Sequence, residues 1–226
     1  MGKKKRHHRI HREGRGIIVT LTFLIFAVNV PIYLYMSNWI FAITLLLSAV
    51  LLVFVTYFFR NPRRILDVSD PNLLIAPADG RVVVIEPTTE NEYFHDQRLQ
   101  VSIFMSPFNV HANWYPIEGK VLVSEHQDGY HKGAWLPKSS TENERSLVVI
   151  ETPNKVQIAV RQIAGAMARR IVTYAKAGGH SHRNEHFGFI KFGSRVDMYL
   201  PLDTEIFVSV GEQVTGNETI IGRINS

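Results

Sequence analysis

Few residues in this chain have types and neighbours suited to chemistry. The most suggestive are a glycine and a serine, Gly193-Ser194, within Gly188-Phe189-Ile190-Lys191-Phe192-Gly193-Ser194-Arg195-Val196-Asp197. Apolar residues spaced among polar ones predict a half-buried strand here, broken at its centre. Glycine and a small hydroxyl forfeit both strand propensity and packing, so the break calls for a reason. One reason is a bulge or bend, since Gly-Ser is a common turn dipeptide. The other is chemical: the Ser194 hydroxyl can attack the Gly193 carbonyl, which glycine leaves sterically open on a backbone that tolerates strain.

Other candidates are scattered. Asp79 lies in Ala78-Asp79-Gly80, which reads equally as a tight turn. His111 follows Ser106-Pro107-Phe108-Asn109-Val110, where a strand runs into a proline-bounded loop; it is the best-placed proton carrier in the chain. His180, His182 and His186 cluster, but glycines, Ser181, Arg183 and Asn184 surround them without a matching carboxylate pattern. No metal site is expected there. The polar stretch from Lys138 to Arg145 reads as a surface loop whose basic ends could meet a phosphate.

The elements that must position these groups begin with two apolar runs, residues 17–35 and 39–59, joined by Met36-Ser37-Asn38. Each is close to the ~20 residues a helix needs to cross a bilayer. So short a link predicts a transmembrane helical hairpin, with a re-entrant one as the alternative because of Asn29 and Pro31. Seven basic residues against Glu13 in the first fifteen positions give that tail a net +6, which leaves −1 for the rest of a chain of formal charge +5. The later part is therefore not a basic domain, and nucleic acid is not an expected partner. Basic residues also follow the second run, at Arg60, Arg63 and Arg64, so both ends are expected on the cytoplasmic face of the cell membrane. The absence of cysteine excludes disulfides, thiolate nucleophiles and Cys-type zinc sites.

Residues 60–73 read as a linker, and from residue 74 the pattern turns to short strands, expected at 81–86, 99–105, 119–124, 146–151 and 156–163. Residues 164–174 are ambiguous between strand and helical turn. The rhythm from Val208 to Gly222, with turn glycines between short apolar runs, is similar to lipoyl and biotinyl hairpins. The expected fold is thus mainly β, a barrel-sandwich-hybrid-like domain over 74–226, preceded by a basic tail (1–16) and the hairpin (17–59). A carrier module of that type needs a lysine at its hairpin tip, and Glu212, Gln213, Thr215 and Asn217 supply none.

Five segments occur in one order: Ala76-Pro77-Ala78-Asp79-Gly80-Arg81-Val82, Ser102 to His111, Glu142-Asn143-Glu144-Arg145, Arg161 to Gly165 followed by Ala168-Arg169-Arg170-Ile171, and Gly188 to Asp197. The series resembles phosphatidylserine decarboxylase in its short bacterial and archaeal branch. The resemblance implies a self-processing proenzyme cut between Gly193 and Ser194 into a β chain (1–193) and an α chain (194–226). Ser194 would become a covalent pyruvoyl group through an ester, a dehydroalanine and loss of ammonia. That group would form a Schiff base with the amine of phosphatidylserine and accept electrons as CO2 leaves, yielding phosphatidylethanolamine in phospholipid biosynthesis.

In the longer branch of the family an Asp-His-Ser relay drives cleavage, and two histidines stand three residues apart before the proline. Here His111 matches the first, but Trp114 holds the second place. Asp79 and Ser194 carry over, His111 is expected to serve decarboxylation or reprotonation with a second duty in cleavage left open, and the base for cleavage is open, with His182 or His186 as options. Expected partners are the lipid substrate, the membrane and the two chains of one proenzyme, with a homo-oligomer left open. Two other readings stand beside this one: a membrane-anchored, non-catalytic lipoyl/biotinyl-like module, and a decarboxylase of another amino-acid lipid such as archaetidylserine.

Overall fold

A computed structural model describes residues 8–129, 143–165, 170–191 and 194–225. They fall into two compact units, one up to Arg63 and the other from Arg64 onward.

In the first unit, strand β1 (His8–Ile10) precedes helices α1 (Arg12–Tyr35) and α2 (Asn38–Phe58), and strand β2 (Arg60–Pro62) follows them. At 1.5 Å per residue the helices are roughly 36 and 31 Å long, against about 30 Å of bilayer hydrocarbon. Both are long and apolar enough to cross a membrane. Pro31 lies within α1 without ending it. Cross-contacts show an antiparallel pair: Asn29 Nδ2 donates to Ser48 Oγ at 2.9 Å, and the rings of Tyr33 and Phe41 meet edge to face. A Cβ on Gly14 would fall 2.3 Å from the Phe59 ring, so glycine is what lets the helix start approach the hairpin's other end. Beyond the helices, β1 and β2 form an antiparallel ladder that pairs Ile10 with Arg60, a feature the sequence pattern did not suggest.

The second unit is mainly β, as expected. Its strands are β3 (Leu73–Ile75), β4 (Gly80–Glu90), β5 (Asp96–Met105), β6 (Ala112–Trp114), β7 (Gly119–Gln127), β8 (Arg145–Glu151), β9 (Gln157–Ala164) and β10 (Arg170–Thr173), then β11 (His180–Ser181), β12 (His186–Lys191), β13 (Ser194–Leu200), β14 (Glu205–Ile206), β15 (Gln213–Val214) and β16 (Ile220–Arg223). Eight form one antiparallel sheet in the order β11-β7-β8-β9-β13-β5-β4-β15, which curls into a half-barrel. Two three-stranded sheets, β10-β12-β6 and β14-β16-β3, complete the described strands of this unit. The core lines the inner face of the large sheet, with Val101, Ile103, Val148, Ile150, Val160, Val196 and Met198 fully buried. Side chains alternate at a period of two, so these positions select the inner phase of each strand.

Two expectations change. The single strand around Gly193-Ser194 is two strands in different sheets: β12 pairs with β10 and β6, while β13 pairs with β9 and β5. Phe192 and Gly193 lie outside the described residues. Nor is β13 half-buried; all seven residues are buried, because its outer face is also covered. Of the ambiguous stretch, residues 170–173 are strand, and residues 166–169 lie outside the described set.

Candidate active site

Ser194 opens β13 and sits between Met105 at the end of β5 and Ala164 at the end of β9. It shares the inward phase of Val196 and Met198 and is fully buried. Its hydroxyl donates to the Met105 sulfur at 3.2 Å. A thioether is a weak acceptor and a poor base, so this contact orients the hydroxyl without activating it.

Behind Ser194 lies a set of buried amides. Gln162 is on the inner phase of β9 and bridges to the sheet β10-β12-β6. Its Oε1 accepts from Ser146 Oγ at 2.7 Å and from Thr173 Oγ1 at 3.1 Å, while its Nε2 donates to Asn113 Oδ1 at 2.7 Å. Two hydroxyl donors on the oxygen fix which way the amide faces, and that in turn fixes Asn113. Asn113 Nδ2 then points to the Met105 sulfur at 3.7 Å, the atom that Ser194 also addresses. Register explains how Gln162 fits: Thr173, Gly188 and Asn113 are aligned across β10, β12 and β6. A Cβ at Gly188 would come within 2.4 Å of Gln162 Nε2, so the missing side chain is the space the amide occupies. Gln162 and Asn113 were not singled out from sequence; the glycine within the alternating β12 pattern was the available signal.

His111 and Asp79 come together through the backbone. The loop from Ser106 is closed by Asn109 Oδ1, which accepts from the Ser106 N–H and hydroxyl. His111 follows, fully buried, with Nδ1 2.9 Å from the Asn109 carbonyl and its ring tilted against Phe189 at 6.5 Å between centroids. With the proton on Nδ1 donated to that carbonyl, Nε2 presents a lone pair. Asp79 Oδ2 accepts from the Val110 N–H at 3.4 Å, one residue before His111, and Oδ1 accepts from the Gly216 N–H at 2.8 Å. Both carboxylate oxygens also bind the Arg64 guanidinium, one through Nη1 and the other through Nη2 at 2.9 Å. In the sequence Arg64 is one of the positive charges that follow the hairpin. It is buried, and its charge answers Asp79.

Trp114 is buried beneath Arg64, whose guanidinium carbon lies 5.0 Å from the ring, and His186 packs edge-on against the indole at 4.9 Å. His180 and His182 stack on each other at 6.2 Å. Among the described residues no three His, Cys, Asp or Glu side chains converge as metal ligands. Arg145, expected as a phosphate-meeting end, pairs with Glu92 at 2.6 Å; the rest of that loop up to residue 142 lies outside the described residues.

The outer phase of β13 carries charge. Arg195 pairs with Asp197 at 2.8 Å, and Arg161 on β9 binds Glu90 at 2.7 Å, Glu92 at 3.0 Å and the Tyr199 hydroxyl. Burial pushes up the Tyr199 phenol, and the Asp197 charge adds to it. For Glu90, burial opposes ionisation. The backbone N–H groups of Phe94, Tyr93 and Glu92, helped by Arg161, outweigh it and hold the carboxyl below its ordinary range. Tyr93 and Phe94 pack against the cluster of Leu147, Val149, Ala159 and Tyr199.

The sequence matches the phosphatidylserine decarboxylase family over residues 51–222. A phosphatidylserine decarboxylase proenzyme of Bacteroides fragilis is 53% identical over 223 residues, covering 98% of each chain. Those of Parabacteroides distasonis and Cytophaga hutchinsonii are 52% and 45% identical over 96% of this chain and 99% of theirs. With the family matched across three quarters of its length and relatives of this similarity spanning nearly all of it, the chain belongs to the phosphatidylserine decarboxylase family.

Proposed function

We propose that this chain decarboxylates phosphatidylserine to phosphatidylethanolamine after cutting itself between Gly193 and Ser194 and converting Ser194 into a pyruvoyl group. The observation that carries the reading is the place of Ser194. Its hydroxyl is held in a dry interior at the head of a central strand, in a member of a family whose relatives are named proenzymes. Maturation moves the Gly193 acyl group from the Ser194 nitrogen to its oxygen. The ester then eliminates, leaving a carboxylate on 193 and a dehydroalanine at 194, and water displaces ammonia. The pyruvoyl group supplies a conjugated carbonyl that accepts the electrons released as CO2 departs.

The surrounding residues suit that group: Met105, Ala164 and Val196 keep water out, and the Gln162-Asn113 pair supplies fixed dipoles. His111 holds or returns a proton through Nε2 during decarboxylation. Asp79 positions the His111 loop through Val110 N. Cleavage leaves β13 hydrogen-bonded on one side to β5 and on the other to β9, so residues 194–226 stay in place without the peptide link.

The apolar hairpin with basic flanks supports residence in the cell membrane with the catalytic domain on the cytoplasmic face. Tethering raises the local concentration of a substrate that never leaves the bilayer. The test is mass spectrometry of the purified chain together with CO2 release from phosphatidylserine vesicles. The reading requires a fragment starting at residue 194 with a pyruvoyl end, and an uncut, inactive Ser194→Ala variant; an active full-length Ser194→Ala chain overturns it. Turnover of another amino-acid lipid without turnover of phosphatidylserine would reassign the substrate.

A further inference from the structure

The hairpin unit holds a groove of about 700 Å³ where the end of α2 meets the ladder of β1 and β2. Ile10, Leu52, Val53 and Thr56 contribute to its lining. Arg9, Tyr57 and Arg60 line it as well, and among the described residues no acidic one borders the space. The ladder is what assembles it: pairing Ile10 with Arg60 and Arg9 with Asn61 brings the amino-terminal arginine to the far end of the second helix. Arg60 is held in place, its guanidinium carbon 3.9 Å from the centre of the Tyr57 ring and its Nη1 donating to the Tyr57 carbonyl at 3.0 Å. Val53 is 68% exposed and Tyr57 48%, so an open apolar surface stands beside the two cations.

We propose that this groove binds one anionic phospholipid of the bilayer, with the headgroup phosphate at Arg9 and Arg60 and an acyl chain along Leu52 and Val53. A small soluble anion would answer the arginines but leave the apolar lining uncovered, and an uncharged apolar ligand would do the reverse. An anionic amphiphile satisfies both, at the depth where Tyr57 ends a membrane-length helix. The inference rests on the reading of α1 and α2 as a membrane hairpin and on phosphatidylserine as substrate. Given both, it adds a consequence: the substrate carries net negative charge and the product does not, so the groove concentrates substrate and releases product.

The test uses the full chain in phosphatidylcholine nanodiscs doped with phosphatidylserine, in a Ser194→Ala background that prevents turnover, with retained lipid read by native mass spectrometry. Replacing both Arg9 and Arg60 by alanine is expected to weaken phosphatidylserine retention by roughly tenfold, leave phosphatidylcholine unchanged, and abolish the salt dependence. Arg60→Lys, which keeps the charge, is expected to hold most of the affinity. In the wild-type Ser194 background the double variant should raise KM for phosphatidylserine in vesicles while kcat and the 194–226 fragment stay as in the parent. Equal retention of the two lipids by the parent, or an unaffected double variant, overturns the groove and leaves the decarboxylase reading standing. A parent chain that is washed off vesicles by alkali removes the hairpin on which the groove depends, and a chain with Ser194 intact that is never processed removes the catalytic reading instead.

Discussion

Arg64 and Asp79 form a buried two-pronged ion pair, and the same carboxylate also accepts from Gly216 N and Val110 N. One side chain thereby ties the entrance of the domain, the turn before β4, the loop of His111 and the carboxy-terminal hairpin to one point. Removing either partner strands the other as a buried charge, a loss of about 3–5 kcal/mol. Arg64→Ala and Asp79→Ala are both expected to lower the unfolding free energy measured by urea titration by an amount of that order. If Asp79 acts by position, both variants should also slow appearance of the 194–226 fragment. Normal processing in a destabilised Arg64→Ala chain, with loss only in Asp79→Ala, would give the carboxylate a direct part in the cleavage.

His111 separates the two stages of the chemistry. Its Nδ1 is committed to the Asn109 carbonyl, and it needs no direct tie to the scissile bond to serve decarboxylation. His111→Ala is expected to cut CO2 release by about a hundredfold or more, the usual scale for losing a general acid or base, while the chain is still processed. The two readouts are a denaturing gel and CO2 trapping on the same preparation. Unchanged turnover would remove His111 from the site.

Much of this arrangement was legible in the sequence because it depends on local pattern. The apolar runs forecast α1 and α2, and alternation located β4, β5, β7, β8 and β9 to within a few residues at most ends. What escaped was decided by partners distant in the chain. Arg64 looks like a flanking charge until Asp79 and Gly216 are folded around it. Gln162 looks like a solvent-facing residue in an alternating strand, yet Ser146, Thr173 and Asn113 converge on it from three other strands. Tyr199, on the outer face of β13, lies in a cluster with Leu147, Val149 and Ala159, against which Tyr93 and Phe94 of the turn after β4 pack. Periodicity in one segment carries no record of such packing.

That turn supplies a prediction for acid. The Glu90 carboxyl is held below its ordinary value of 4.5 in the folded chain. A depressed carboxyl stabilises the fold above the unfolded value, and that contribution is lost as pH falls from there through the folded value. Stability measured by urea titration should therefore fall with pH below about 4.5 more steeply in the parent than in Glu90→Gln. The variant should also be less stable at neutral pH, because Arg161 loses a buried partner. Parallel curves for the two chains in that acid range would show that Glu90 does not contribute to the acid transition.

The amide pair offers the sharpest separation of orientation from stability. Gly188→Ala places a methyl 2.4 Å from Gln162 Nε2 and 2.7 Å from the Val172 carbonyl, so the amide must leave its position between Thr173 and Asn113. Gln162→Leu leaves the Ser146 and Thr173 hydroxyls and Asn113 Oδ1 buried without this partner, at about 1–3 kcal/mol for each group left unsatisfied. Both should lower stability and processing together. Gln162→Glu is different: it keeps the volume and the acceptor for the two hydroxyls but presents an oxygen where Nε2 had donated. Asn113 then has to turn its amide over to donate, and its Oδ1 comes to face Met105 and Ser194. The expected result is a chain more stable than Gln162→Leu in which the 194–226 fragment appears slowly, because the Ser194 hydroxyl now meets an amide oxygen in place of a weakly accepting sulfur. Processing of Gln162→Glu at the parent rate would show that the orientation of Asn113 has no bearing on the reacting serine.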